Sequence, residues 1–297
     1  MRKLKIGYFA DGIWSHNAFK LINNDKKFEI KFICPRFNSE DLTLKYLAEG
    51  SNIDYIKTSN VNSKDFLENV QKYGCDIFVS MSFDQIFQRE IINSAALKTI
   101  NCHAGKLPFY RGRNILNWVL INDEKEFGIT VHYVDEGIDT GDIILQKTYP
   151  INDADDYKAL LEIAHVECAG VLYEALLLVY EGDFTKLDQK SIHPVGMYCG
   201  AREEGDEIID WSSSTRDLFN FVRALAKPSP MAKCFLNGKE FFINKASLID
   251  NAPLYKGTPG QILYKENGKF IVKTKDSILK IEEYFYDGVL KVGNRLK

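Results

Sequence analysis

Along the first 180 residues, apolar positions switch repeatedly between strand-like and helix-like spacing. Leu4-Lys-Ile-Gly-Tyr-Phe-Ala10 reads as a first strand, followed by Asp11-Gly12 and a helical stretch from Ser15 to Ile22. Phe28 to Cys34 is a second strand, stopped by Pro35. Asp41 to Gly50 is helical in pattern, and Ile53-Asp-Tyr-Ile56 is a short strand. Ser63 to Tyr73 has apolar residues at Phe66, Leu67 and Val70, a helical period with Ser63 as its N-cap. Asp76-Ile-Phe-Val-Ser80, Leu97 to Cys102, Gly128 to Val134 and Ile143 to Lys147 read as further strands. Asp155 to Glu181 is a long helix with apolar residues at 160, 161, 164, 168, 171, 172, 175 and 176. Such alternation predicts an α/β domain, a Rossmann-like, mostly parallel sheet covered on both faces.

The pattern changes after Gly182. Asp183 to Glu207 is polar and irregular and reads as a linker. Thr215 to Ala226 is helical, capped by Ser212 or Ser214 and stopped by Pro228 and Pro230. The rest is β-rich. Asn237-Gly238 and Asn267-Gly268 each sit between alternating apolar segments, a strong hairpin signal. The expected organisation is a larger domain over 1–182, a linker over 183–207, and a smaller β-rich, barrel-like domain over 208–297.

Composition changes this picture little. The chain has 297 residues, 45% hydrophobic and 27% charged, too long for a single ordinary core. No uncharged apolar run reaches the roughly 18 residues of a membrane span, and the opening Met-Arg-Lys-Leu-Lys-Ile-Gly turns polar too soon for a signal peptide. A cytoplasmic protein without a membrane partner is expected. Net charge is −3, from 38 basic and 41 acidic residues, with no basic run of the kind that grips a long nucleic acid. The six cysteines form no C-x-x-C pair and match no zinc spacing, so reduced thiols are expected, with Cys102 in a packing role.

Phosphate-loop motifs are missing. There is no Walker sequence, and the first strand is followed by Ala10-Asp-Gly-Ile-Trp-Ser-His16 instead of a glycine-rich fingerprint. The chemistry concentrates in residues 101–142. Asn101-Cys102-His103 falls at a predicted strand end, where open α/β sheets place ligands, and residues two apart share a face. A carboxamide and an imidazole there can serve an oxyanion and a proton, or can simply be hydrogen-bonded. Gly105-Lys-Leu-Pro-Phe-Tyr-Arg-Gly-Arg113 is a loop whose guanidinium groups suit either phosphate or carboxylates. Asp135-Glu-Gly-Ile-Asp-Thr-Gly-Asp142 is an acidic loop, suited to a cation or to a planar heterocycle with Asp139 orienting a base.

Taken in order, Asn101-Cys-His103, Leu107-Pro-Phe-Tyr-Arg-Gly112 and Gly137-Ile-Asp-Thr-Gly-Asp142 resemble the folate-dependent formyltransferases. Ile208-Ile-Asp-Trp-Ser212, Val222-Arg-Ala224 and Pro228-x-Pro-Met231 resemble the start of the C-terminal domain shared by the tRNA and sugar branches. The resemblance thus covers most of the chain. It implies N10-formyltetrahydrofolate as donor, no fixed metal, and Asn101, His103 and Asp139 as the catalytic three. It also implies a pterin held by Phe83, Gln85, Ile86 and Phe87 with Val134, Gly137 and Asp142. Relatives often dimerise, so a homodimer is expected, with Tyr284-Phe-Tyr286 as one candidate contact.

Three features of the resemblance favour the sugar-nucleotide branch. The charge is slightly negative without a long basic insertion. Trp14, Ser15 and His16 stand where the tRNA enzymes usually carry a Gly-Thr-Pro-like turn. Tyr110, Arg111, Arg113 and Asn114 offer a compact cationic contact for a diphosphate. The expected acceptor is a nucleotide-linked, dTDP-type 3- or 4-amino dideoxysugar for surface polysaccharide synthesis. A methionyl-tRNA formyltransferase is the alternative, and a non-catalytic folate or nucleotide binder is the competing class.

Overall fold

The protein is described from a computed structural model, covering residues 2–182 and 184–297; Met1 and Asp183, where the expected linker begins, lie outside the described residues. In chain order the elements are β1 (Leu4–Ala10), α1 (Gly12–Asn24), β2 (Phe28–Cys34), α2 (Thr43–Ser51), β3 (Asp54–Tyr55), α3 (Lys64–Gln71), β4 (Ile77–Met81), α4 (Arg89–Ile92), β5 (Thr99–His103), β6 (Arg111–Gly112), α5 (Ile115–Ile121), β7 (Glu126–Tyr133), β8 (Ile143–Pro150) and α6 (Tyr157–Glu181). They continue with α7 (Gln189–Ile192), β9 (Tyr198–Cys199), α8 (Thr215–Ala224), β10 (Ala232–Leu236), β11 (Lys239–Ser247), β12 (Ile262–Glu266), β13 (Lys269–Lys273) and β14 (Ile278–Phe285).

The chain forms two compact units. The first gathers Met1–Gly112, Phe127–Tyr149 and Glu162–Cys199; the second gathers Arg113–Glu126, Pro150–Leu161 and Gly200–Lys297. In the first, the sheet order is β3-β2-β1-β4-β5-β7-β8. The β1–β2, β1–β4, β2–β3 and β4–β5 pairs are parallel, and β7 runs antiparallel to β5. The expected α/β, mostly parallel architecture is therefore present. Every residue of β4 is buried, as a strand covered on both faces requires. One face packs Phe9, Phe32, Phe66, Phe78 and Phe87 together, with Phe9 edge-on to the other four. α3 starts where expected, its Ser63 hydroxyl accepting from the Phe66 N–H. α6 is long and apolar enough by composition to cross a membrane, yet Leu160, Ala164, Cys168, Val171, Leu172, Ala175 and Leu176 along it are buried in the protein. These are all but one of the positions that the helical period selects.

The second unit carries the antiparallel sheet β10-β11-β14-β13-β12, so the smaller β-rich C-terminal part is also as expected. Both Asn-Gly turns have positive φ at both residues (Asn237 53°, Gly238 76°; Asn267 50°, Gly268 76°), the geometry a two-residue hairpin loop needs. α8 is capped by Ser214, which accepts from the Asp217 N–H, and ends two residues before the expected Ala226. The barrel-like character comes from the last residues. Gln261 pairs with Arg295 on the β12 edge, while Phe235 and Lys297 exchange backbone hydrogen bonds on the β10 edge. The terminal segment thus covers part of both open edges, and residues 207–209 meet Lys233 on the β10 edge. It seats Leu296 in the core with Trp211, Leu236 and Phe270. Leu296→Ala is expected to lower unfolding free energy by about 2–5 kcal/mol, measured by denaturant titration, because it leaves a cavity at that closure.

The second unit also contains α5, for which the apolar pattern predicts nothing. Ile115, Leu116, Val119 and Leu120 are buried around it, so its period is blurred. The stretch read as a linker contains α7 and β9, and β9 pairs with β6 in a two-stranded sheet.

Candidate active site

Strand ends of the first unit build the site. Across the sheet, Phe9, Ser80, Asn101 and His132 stand in one register row, and His103 stands opposite Thr130. Residues two apart share a face, so Asn101, His103, Thr130 and His132 project together. Cys102 projects to the other face, where its thiol lies 3.5 Å from the Cys168 carbonyl oxygen of α6, and all six cysteines are free thiols. Burial pushes the Cys34, Cys75 and Cys234 thiols up to about 12, which makes them poor nucleophiles.

The expected three residues come together. Asp139 reaches the imidazoles from the loop after β7, in left-handed conformation (φ 54°). Its Oδ2 lies 3.5 Å from His103 Nδ1 and accepts from the Gly112 N–H at 2.9 Å; its Oδ1 lies 3.4 Å from His132 Nε2. His103 Nε2 is 2.7 Å from the Tyr110 carbonyl. Asn101 Nδ2 is 3.3 Å from His132 Nε2, and His132 Nδ1 is 2.8 Å from the Tyr133 carbonyl. Burial works to raise the Asp139 carboxyl. The charge of His103 and the Gly112 N–H help to outweigh it, and the group is held well below the usual carboxylate range. Asp139 is therefore an anion between two imidazoles.

Backbone geometry makes this possible at Gly105. A Cβ there would lie 2.4 Å from His103 Nε2 and 2.5 Å from the Tyr110 carbonyl oxygen, inside the hydrogen bond that fixes the ring. The same loop is anchored by Thr130, whose hydroxyl donates to the Gly105 carbonyl at 2.6 Å. Gln146 donates to the Leu107 carbonyl and to Thr130 Oγ1.

Two functional neighbours carry little sequence signal. His132 is one residue of a strand whose alternation alone puts Thr130 and His132 on one side; its antiparallel pairing with Asn101 is what brings it into the site. Gln189 is buried within the stretch read as linker. It donates to the carbonyls of Asp139 and Gly141 at 2.8 and 2.7 Å, and its Oε1 accepts from Arg111 Nε and Nη2 at 3.1 and 2.7 Å.

Beside the centre lies an apolar shelf. Phe83 and Phe87 stack at 5.6 Å, and Phe83 and Val134 pack on the phenylalanine core. Ile86 (68% exposed) and Ile138 (54%) leave apolar surface open, and Arg89 pairs with Glu136 to tie the two loops. Gln85 faces the other way: its carbonyl oxygen accepts from the Val61 N–H and its amide donates to the Thr58 carbonyl. Gly137 is exposed beside Asp135, and Asp142 pairs with Lys186 at 2.7 Å.

The residues expected at the acceptor are placed differently. Arg111 is buried, and its guanidinium is taken up by Gln189, the Val195 carbonyl and the Tyr198 hydroxyl, so it cannot meet a diphosphate without breaking these bonds. Tyr110 is buried and offers its backbone carbonyl to His103. Ser15 is wholly buried, its hydroxyl donating to the Gly12 carbonyl. Trp14 packs edge-on to His165 of α6 at 4.6 Å. His16 Nε2 lies 2.8 Å from Asp41 Oδ2. Arg113 and Asn114 belong to the second unit; Arg113 is exposed, and Asn114 Oδ1 accepts from the Arg202 N–H. Among the described residues, no group of three or more His, Cys, Asp or Glu side chains has a metal-holding arrangement.

Residues 30–176 match the formyl transferase family, and residues 203–288 match the formyl transferase C-terminal domain. The methionyl-tRNA formyltransferase of Caldanaerobacter subterraneus subsp. tengcongensis is 33% identical over 256 residues, 85% of this chain and 80% of that protein. Among solved structures, WlaRD, a sugar 3N-formyl transferase, superimposes with a TM-score of 0.70 at 20% identity over 95% of this chain and 98% of its own. The N-formyltransferase from Helicobacter canadensis, solved with folinic acid and dTDP-3-aminofucose, gives 0.67 at 20% identity over 96% and 100%. The Asn101–His103–Asp139 cluster thus sits in a chain that matches this family in both its parts, and the protein belongs to the formyl transferase family as an N-formyltransferase.

Proposed function

We propose that this enzyme transfers the formyl group of N10-formyltetrahydrofolate to the amino group of a nucleotide-linked, dTDP-type 3- or 4-amino dideoxysugar. The observation that carries the sugar acceptor is how the second unit uses four of its five arginines, Arg113 being exposed. Arg216 is held by Asp123 and Asp153, and buried Arg223 by the carbonyls of Asn152 and Asp155. Arg202 lies against the rings of Trp118 and Phe221, and Arg295 donates to the Pro259 carbonyl. Lys233, Lys239, Lys269 and Lys280 pair with carboxylates. Cations committed to their own unit are poorly placed to release counterions from a tRNA backbone. The 33% identity to a methionyl-tRNA formyltransferase favours the second reading, formylation of charged initiator tRNA.

Ile86 and Ile138 fit the face of a pterin, and exposed backbone of the loop after β7 fits its edge. The neutral acceptor amine attacks the formyl carbon, and its oxygen becomes an oxyanion within reach of an Asn101 N–H. The bond from carbon to N10 then breaks, and the proton lost by the amine ends on N10. His103 Nε2 is occupied by the Tyr110 carbonyl, so Nδ1, loosely held by Asp139, is the atom that exchanges protons with reacting groups.

A mass-spectrometric acceptor screen tests the reading. With N10-formyltetrahydrofolate and a panel of 3- and 4-amino sugar nucleotides beside charged initiator tRNA, one sugar is expected to gain a formyl group. Formylation of the tRNA alone would overturn the sugar acceptor and leave the transfer chemistry in place.

A further inference from the structure

His132 has no role in the steps above, yet it touches two groups that do. Its geometry assigns its protons. The Tyr133 carbonyl can only accept, so the contact at 2.8 Å places a proton on His132 Nδ1. Nε2 faces the Asn101 amide nitrogen at 3.3 Å, and in the tautomer with its one proton on Nδ1 it accepts an Asn101 N–H. By the same argument the Tyr110 carbonyl places a proton on His103 Nε2. Asp139 stands between the two remaining ring nitrogens at 3.5 and 3.4 Å.

We propose that neutral His132 is a positioning residue that holds the Asn101 carboxamide with its nitrogen toward the reacting formyl group. This rests on the reading of Asn101 as the oxyanion donor. One amide hydrogen goes to His132 Nε2 and fixes the side chain; the other is left to the oxyanion. A second proton on His132 would turn the amide over, because the carboxamide oxygen would then face an N–H, and the donor would point away. The groups facing the ring are Asp139, Asn101, the Tyr133 carbonyl and the His103 ring, whose centroid is 6.5 Å away.

The first arm of the test needs no acceptor. The chain has five histidines, so imidazole nitrogen NMR of the full-length, 15N-histidine-labelled protein resolves each ring, with His132→Gln and His103→Gln assigning two. His132 is expected to show a protonated Nδ1 and a bare Nε2. A proton on His132 Nε2 would overturn the proposal.

The second arm is a kinetic cycle with N10-formyltetrahydrofolate and the acceptor identified in the screen. His132→Leu is expected to lower kcat about 10–100-fold, below the on the order of 10²–10³ for outright loss of an oxyanion donor, with the donor KM little changed. His132→Gln, whose amide oxygen can accept in place of Nε2, is expected to keep kcat within several-fold of wild type. In an Asn101→Ala background, His132→Leu should add almost nothing, since it acts through Asn101. An unchanged factor in that background would overturn the proposal while Asn101 stands. Near wild-type turnover of Asn101→Ala alone would instead remove the oxyanion reading, and this inference with it.

Discussion

Asp139→Asn is expected to lower turnover by on the order of 10²–10⁴, the range associated with loss of positioned acid–base catalysis, without unfolding the protein. The carboxamide has the same shape, and its oxygen can still accept from the Gly112 N–H that holds Oδ2 at 2.9 Å. What it cannot do is balance a second proton on His103. With that oxygen kept beside His103 Nδ1, its nitrogen takes the Oδ1 place beside His132 Nε2, so the anion of the site is lost while its packing remains. The stability of the variant checks the same anion. The Asp139 carboxyl is held below its ordinary range in the folded protein. The unfolded chain therefore takes up this proton first as pH falls through about 4, and the wild type loses stabilisation from there downward. Above that range the contribution is fully present. Asp139→Asn should show a flatter fall of stability with acid than wild type, measured by melting temperature from pH 7 to 3. Full activity of the variant would remove Asp139 from the mechanism.

Gly105→Ala should be nearly as damaging, though the glycine carries no chemistry. The added Cβ would sit 2.4 Å from His103 Nε2 and 2.5 Å from the Tyr110 carbonyl oxygen, distances that real side chains do not show. The ring and the Tyr110 carbonyl cannot both stay, so the bond that fixes the His103 tautomer breaks. A loss of about 10²-fold in turnover is expected, with about 1–3 kcal/mol of destabilisation from overpacking. Thermal melts separate the two effects: a folded, inactive protein is the expected result. A fully active Gly105→Ala enzyme would mean that the His103–Tyr110 contact does not set the ring.

Much of this fold was legible in the chain because local rules and tertiary packing agree there. The apolar period of α6, the Ser63 and Ser214 caps and the two Asn-Gly hairpins are decided by residues within a few positions of one another, and the same residues carry the pattern. α5 escaped because Ile115, Leu116, Val119 and Leu120 are buried around a short helix, which leaves no clean amphipathic period. Barrel closure escaped for another reason. Phe235 and Lys297 are joined by backbone hydrogen bonds, which leave no trace in side-chain composition.

The candidate site divides along the same line. By itself, the sequence determined that Asn101 and His103 share one face, since they stand two positions apart on one strand, and that an acidic loop follows the partner strand. Their meeting with Asp139 belongs to the fold, and the matched family made it foreseeable. Only the tertiary structure decided which polar residues are spent on the scaffold. Arg111 reads as a phosphate ligand in one dimension, but Gln189, 78 residues away, consumes its guanidinium. Ser15 and Trp14 read as ligand contacts, but one is wholly buried and the other packs on α6. His132 reads as an ordinary strand residue until antiparallel pairing sets it against Asn101. The physical reason is common to all four. A polar side chain's role depends on which donor or acceptor lies within about 3 Å, and that neighbour comes from long-range register and burial, which no local pattern encodes.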